Sequence, residues 1–314
     1  MNSETLAAAA KTLPGAGKRR LSLVQREALI GFLLISPWLI GFLLFEILPV
    51  LSSLFLSFNR YAIVDAPEWV GWANYQRALF KDKLFWKSLW NTVYYVGVGV
   101  PLRVTCAFIV ALVLNAKIRG ILGYRIIYYL PSIIPIVGTA VLWSLILNPR
   151  AGIINFALSL IGLPSINWLG DPAWSKPAFI LMSLWTLGGS TVIFLAGLQG
   201  IPTYLYEVAE IDGANAWRRF WAVTVPLMTP SIFLNTIMNI IGSFQVFAGA
   251  YIVTGGGPLN STLFYMLHLY RNAFAWFKMG YASALAWVLF IIIVLMTIAV
   301  VRSSESWVFY QGGR

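Results

Sequence analysis

The sequence predicts an all-α integral membrane fold with six transmembrane helices, and three observations carry that expectation. Hydrophobic residues make up 59% of the 314 and charged residues only 11%, with a mean hydropathy of +0.78, a balance foreign to soluble domains. Six apolar runs, near 28–50, 91–115, 122–147, 177–200, 227–253 and 281–301, each reach the roughly 20 residues that carry a helix across a bilayer. After the fourth run, and reaching into the start of the fifth, Tyr206 to Pro230 gathers acidic, small and basic side chains tightly. That stretch belongs in water.

In chain order, residues 1–27 carry Lys11, Lys18, Arg19, Arg20 and Arg26 among Gly, Ala and Pro, the composition of a disordered tail. The positive-inside rule places this basic tail in the cytoplasm. The apolar run from Ala28 continues well past the roughly 7–15 residues of a signal-peptide core, so it reads as a retained first span. It runs on to Phe58 and is expected to kink or emerge at Pro49. Residues 59–90, with Trp69, Trp72, Tyr75, Trp86 and Trp90, form a polar loop whose aromatics suit a membrane surface. Residues 148–176 and 255–280 are further loops on that side. An even number of spans returns the tail 302–314 to the cytoplasm. The 22 basic against 11 acidic residues give a net charge of +11. The cations are scattered over loops without the clustered patch that nucleic acid requires.

Within the knuckle, Pro202 and Thr203 mark a helix start, with Glu207 and Glu210 near the positive end of its dipole. Asp212-Gly213 is a turn dipeptide whose glycine can adopt a left-handed backbone, ending the first helix and allowing a second from about Ala214. Pro226 and Pro230 are expected to bound that short second helix. A helix-turn-helix of this kind between two spans is shaped to be gripped by another protein.

Glu207, Ala209, Asp212, Gly213, Ala214, Phe220, Pro226 and Pro230 match an E-A-A-x-x-D-G-A…F…P…P pattern, and here the chain resembles the permease subunits of binding-protein-dependent ABC importers. Thr254-Gly-Gly-Gly-Pro258 and Phe277-Lys-Met-Gly-Tyr281-Ala-Ser-Ala284 are similar to a second signature, that of the first permease in the maltose and glycerol-phosphate branch. The resemblance covers roughly residues 28–301, with Val208, Val223 and Val225 as small departures. It implies a MetI-like core over 28–301 with a cytoplasmic coupling helix inside 203–230. Glu207, Ala209, Asp212, Gly213, Ala214, Phe220 and Pro226 would then dock into a groove of an ATPase. It also implies a second permease, different in sequence, two cytoplasmic ATPases that bind the ATP and magnesium, and an extracytoplasmic sugar-binding protein. The location implied is the bacterial or archaeal cytoplasmic membrane.

For the substrate path, Asn235, Asn239 and Ser243 recur every four residues and share one face of the fifth span. Gln245 lies on another face, in a stretch that contributes to substrate contact in the resembled family. Packing hydrogen bonds between helices explain such residues equally well. Arg103 falls near the middle of the second span, where a charge is functional by default. It is expected to pair with Glu46 or with a carboxylate of a partner subunit, or else to receive an acidic or phosphorylated substrate. Trp185 could stack on a sugar ring, although a tryptophan in a span more often packs. His268 is alone in an outer loop and reads as polar surface. Cys106 is single, so no disulfide or thiolate metal site can form within the chain.

Gly15-Ala-Gly-Lys-Arg19 lacks the spacing and the Ser or Thr of a phosphate-binding loop, so no ATP site or other cofactor is expected in this chain. One histidine and no paired acids or H-E-x-x-H argue against a membrane enzyme. A secondary transporter or channel would carry a coupling carboxylate or a charge ring inside its spans. Beyond Arg103 and the peripheral Glu46 there is none. Sugar import is the expected role, with a glycerol-phosphate-like or other polar solute as the alternative.

Overall fold

A computed structural model describes residues 22–116 and 118–309. Residues 1–21 and 310–314 of the two expected tails, and Lys117, lie outside the described residues. The chain divides into two compact units, residues 1–52 and 53–314. In the first, helix α1 (Leu23–Ser57, continuing into the second unit) starts five residues ahead of the expected span. Ser22 accepts from the Gln25 backbone while the Gln25 side chain reaches back, a reciprocal cap that fixes the start.

The second unit contains a two-residue hairpin, β1 (Asn59–Arg60) and β2 (Glu68–Trp69), antiparallel with Asn59 opposite Trp69. Its helices are α2 (Lys83–Leu114), α3 (Ile121–Ile133), α4 (Ile136–Ile146), α5 (Ile153–Leu160), α6 (Pro172–Thr186), α7 (Gly188–Gln199), α8 (Thr203–Ile211), α9 (Ala216–Val253), α10 (Tyr265–Tyr270) and α11 (Met279–Ser304). Among the described residues, four helices (α1, α2, α9 and α11) are long and apolar enough to cross a membrane. The α3–α4 and α6–α7 pairs, bent by 99° and 49°, bring the number to six when each pair is one span. Within a bilayer every backbone group must be satisfied inside its own segment, which is why apolar helices dominate.

Three departures from the expected elements have local causes. The first span does not emerge at Pro49. The helix passes through it by widening one turn over Leu43–Ile47, where the Leu48 N–H donates to the Leu43 carbonyl five residues back. The same device recurs before Pro226, with a wide turn at Phe220–Thr224 and Val225 donating to Phe220. Such a turn relieves the clash a proline makes with the preceding turn. The Pro226 carbonyl, which Pro230 cannot use, accepts from the Thr229 hydroxyl at 2.6 Å. The knuckle's second helix therefore begins at Ala216 rather than Ala214 and runs unbroken into the fifth span; Pro226 and Pro230 do not bound it. The third departure is the 99° bend, set by Ile134, whose extended backbone (ψ 129°) precedes Pro135.

The α2 helix packs against α7 and α9, and α9 packs against α11. Val96, Val100, Ala107, Phe194, Met228, Phe244 and Leu285 fill this core. Lipid tails are as apolar as these side chains, so the packing is held by close contact rather than by exclusion of water. Gly188 illustrates it: a Cβ there would run into Ser132 and Tyr129 of α3. Only glycine lets α7 start so close.

Candidate functional site

The knuckle is built by a helix stop of defined chemistry. Gly213 takes φ 76°, a conformation glycine adopts without penalty. Its N–H donates to the Glu210 carbonyl at 3.0 Å, and the Ala214 N–H donates to the Ala209 carbonyl at 2.9 Å. This pair of bonds is the Schellman arrangement, which satisfies the last carbonyls of α8. Asn215 then caps α9, accepting from the Arg218 N–H at 2.9 Å. Glu210 and Arg219 close the angle between the two helices at 2.7 Å, and the Tyr206 and Thr224 hydroxyls meet at 3.0 Å.

Glu207, Asp212 and Gly213 are exposed, whereas Ala209, Ala214, Phe220 and Pro226 are half-buried. Ile211 (85% exposed), Trp217 (70%) and Trp221 leave an apolar surface beside the acidic Glu207. From this surface a chain of rings leads into the bundle: Trp217 stacks on Phe220 at 6.0 Å, Phe220 on Phe108 of α2 at 6.3 Å, and Phe108 meets Phe194 of α7 at 5.4 Å. The knuckle is thus in continuous aromatic contact with α2 and α7.

A cavity of about 410 Å³ opens among α2, α4, α6, α7 and α9. It is lined by Tyr95 and Arg103 from α2, Thr139 from α4, Ser183 and Thr186 from α6, Ser190 from α7 and Asn239 and Ser243 from α9, with apolar walls including Phe179 and Met182. Arg103 donates to the Tyr95 hydroxyl at 3.1 Å and to the Ser243 hydroxyl, and its guanidinium lies 5.2 Å from the Tyr95 ring. The Ser243 hydroxyl in turn donates a hydrogen bond to the Asn239 carbonyl. Asn239 donates to the Asn235 carbonyl at 2.9 Å and to the Ser190 hydroxyl at 3.2 Å. The four-residue repeat on α9 therefore does form one polar face, and Arg103, Asn239 and Ser243 come together on the cavity wall.

Gln245 does not join them; it lies just after Phe244, at an interruption of the regular turns within α9, and is exposed. Trp185 packs edge-on against Trp143 at 5.9 Å. Tyr95, Thr139 and Ser190 were not singled out from the sequence. For Tyr95 a signal existed, because a residue eight positions before Arg103 lies on the same helix face. Thr139 and Ser190 reach the cavity only through tertiary packing.

At the opposite end of α2, His268 proves to be buried (1% exposed) rather than polar surface. Asp82 caps α2, accepting from the Leu84 and Phe85 N–H groups at 2.9 and 3.2 Å. Its second oxygen accepts from His268 Nε2 at 3.0 Å and from the Tyr281 hydroxyl at 2.7 Å. One carboxylate thereby ties α2, α10 and α11 together. Burial pushes the Asp82 carboxyl up, but hydrogen bonds from Tyr281 and His268 outweigh this and hold it below its ordinary value. Burial pulls the His268 imidazole down, against the attraction of Asp82. A neutral ring donating through Nε2 accounts for the contact, with Nδ1 left buried and unpartnered.

Residues 85–308 match the family described as the binding-protein-dependent transport system inner membrane component. The "Probable ABC transporter permease protein YesP" of Bacillus subtilis is 42% identical over 292 residues, covering 92% of this chain and 94% of that protein. The trehalose/maltose transport system permease protein MalF of Thermococcus litoralis is 35% identical over 282 residues, covering 89% and 95%. In structure, the chain is similar to a chain of a bacterial ABC transporter involved in import of the acidic polysaccharide alginate. The TM-score is 0.77 at 24% identity, and the match covers 90% of this chain and 96% of that one. With the family match spanning most of the bundle and such relatives covering nearly its whole length, this chain belongs to the inner membrane components of binding-protein-dependent transport systems.

Proposed function

We propose that the chain is a permease subunit of an ATP-driven carbohydrate importer, forming half of the translocation path. The exposed, Schellman-capped knuckle carries this reading, because its ring contacts lead to α2 and α7, two of the helices that line the polar cavity. Two cytoplasmic ATPases, which supply the ATP and magnesium sites, grip α8 through Glu207 and the apolar patch beside it. Their closure swings the knuckle, and a stiff helix transmits the motion because packed cores switch between discrete arrangements instead of deforming continuously. A second permease encloses the other half of the path, and an extracytoplasmic binding protein delivers the sugar. The termini lie in the cytoplasm on this reading. Hydroxyl and amide groups on the cavity wall suit a hydroxyl-rich cargo moving past weak contacts, each of which can be exchanged for another.

Co-purification from membranes tests the coupling. A tagged native chain is expected to recover an ABC ATPase, and Glu207→Ala combined with Gly213→Pro is expected to lose it while the spans remain folded. Recovery of no ATPase with the native chain, or full retention by the double variant, would overturn the docking role of the knuckle.

A further inference from the structure

We propose, on the reading of the chain as a saccharide permease, that the cavity selects saccharides bearing an anionic group, with Arg103 as the specificity-determining cation. The chemistry it would meet is a carboxylate, sulfonate or phosphate carried on a sugar.

Arg103 is 9% exposed and lies well inside the membrane-spanning helix α2, where an uncompensated charge is costly. Its partners are nevertheless two neutral hydroxyls and one aromatic face. Among the described residues lining the cavity there is no carboxylate, so the chamber carries one full positive charge. The two hydroxyls use one hydrogen on each terminal nitrogen of the guanidinium, and Nε has no partner at all. Two terminal hydrogens and the Nε hydrogen therefore remain, three donors of which a planar oxyanion can take two as a parallel pair, a geometry a single neutral hydroxyl cannot offer. Gly99, one turn before Arg103, would bring a Cβ within 3.7 Å of the guanidinium. Its lack of a side chain keeps that flank uncrowded.

The surrounding groups fit the rest of a sugar. The Thr139 hydroxyl is buried without a partner, and Ser190 accepts from Asn239, which leaves its own proton to donate. Aromatic and thioether walls at Phe179 and Met182 offer faces for ring carbons. The site thus combines one desolvated cation with hydroxyl-matching groups, the pairing an acidic saccharide presents in reverse. Desolvation makes this a selective element: a neutral sugar leaves the guanidinium unpaired, and an anionic one neutralises it.

The test uses the assembled transporter with its second permease, ATPases and binding protein in membrane vesicles. ATP-dependent uptake is measured for a uronate disaccharide, a sugar phosphate and a neutral disaccharide, with free phosphate as a non-sugar anion. The native complex is expected to import at least one of the two acidic sugars in preference to the neutral one, and not free phosphate. Arg103→Gln is expected to cut that uptake by at least about tenfold, with Arg103→Lys restoring most of it and the complex still recovered intact. Import of neutral sugars alone, or acidic uptake indifferent to Arg103→Gln, would overturn the selectivity and leave the permease reading standing. Uptake of no saccharide would overturn that reading itself. Dissociation of the Arg103→Gln complex would instead assign Arg103 to a carboxylate of the second permease and overturn the proposal.

Discussion

Two ionisable groups on the same helix, half-buried Asp82 and buried Arg103, are treated in opposite ways. Asp82, at the start of α2, is saturated: two backbone donors, an imidazole and a phenol converge on its carboxylate. Arg103, about six turns further along by helical rise, has hydroxyl partners only and an unpartnered Nε. The first closes the bundle by tying three helices; the second leaves a charge facing an open cavity. A charge whose bonds are complete is structural cement. One whose bonds are incomplete stores affinity for something that arrives later.

Removing the completed group should do the greatest damage. Asp82→Ala deletes the α2 cap and strands the Nε2–H of His268 and the hydroxyl of Tyr281, a loss of about 3 kcal/mol. Thermal unfolding of the detergent-solubilised protein should show a clear drop, with Asp82→Asn intermediate because its oxygen still caps. An unchanged melting temperature would mean the joint contributes nothing.

A smaller effect follows from pH. His268 has its folded value below the ordinary histidine value of about 6.5, so the unfolded chain binds its proton first. The stability that neutral His268 contributes is complete above that ordinary value and is lost as pH falls toward the folded one. Asp82 acts in the same direction lower down, since its folded value lies below its unfolded one. Melting measured between about pH 7.5 and 5 should decline in the native protein, and His268→Gln should flatten that slope. A parallel decline in both would place the acid sensitivity elsewhere.

Arg103 should matter least to stability. Replacing it by methionine removes a charge and leaves two hydroxyls that already have alternative partners or room, so the chain should lose no more than about 1 kcal/mol and could gain. A drop in melting comparable to that of Asp82→Ala would erase the contrast between the two groups.

The parts of the fold legible in the sequence are the ones decided locally. The apolar helical segments were legible because hydropathy adds along a segment and a helix satisfies its own backbone. The turn at Asp212-Gly213 was legible because a left-handed position calls for glycine within a few residues. The helical continuity through Pro226 was not, since a proline normally stops a helix and the widened turn that accommodates it leaves no compositional mark. The 99° break between α3 and α4 was likewise hidden inside one apolar run, because hydropathy records length and not direction.

The candidate site divides along the same line. The polar face of Asn235, Asn239 and Ser243 is a helical repeat and was visible as one. His268 looked like surface because its acidic partner lies 186 residues earlier. The company kept by Arg103 depends on Ser243, 140 residues away, and the inclusion of Thr139 and Ser190 depends on how α4 and α7 lean over α2. By itself the sequence determined that this chain lives in a membrane, where its apolar helices fall and where the chain turns at Asp212-Gly213, because periodicity, hydropathy and turn chemistry act over a few residues. Which polar groups meet, and whether a buried charge is completed or left open, only the tertiary structure decided, because burial and hydrogen bonding are set by neighbours that the chain brings in from afar.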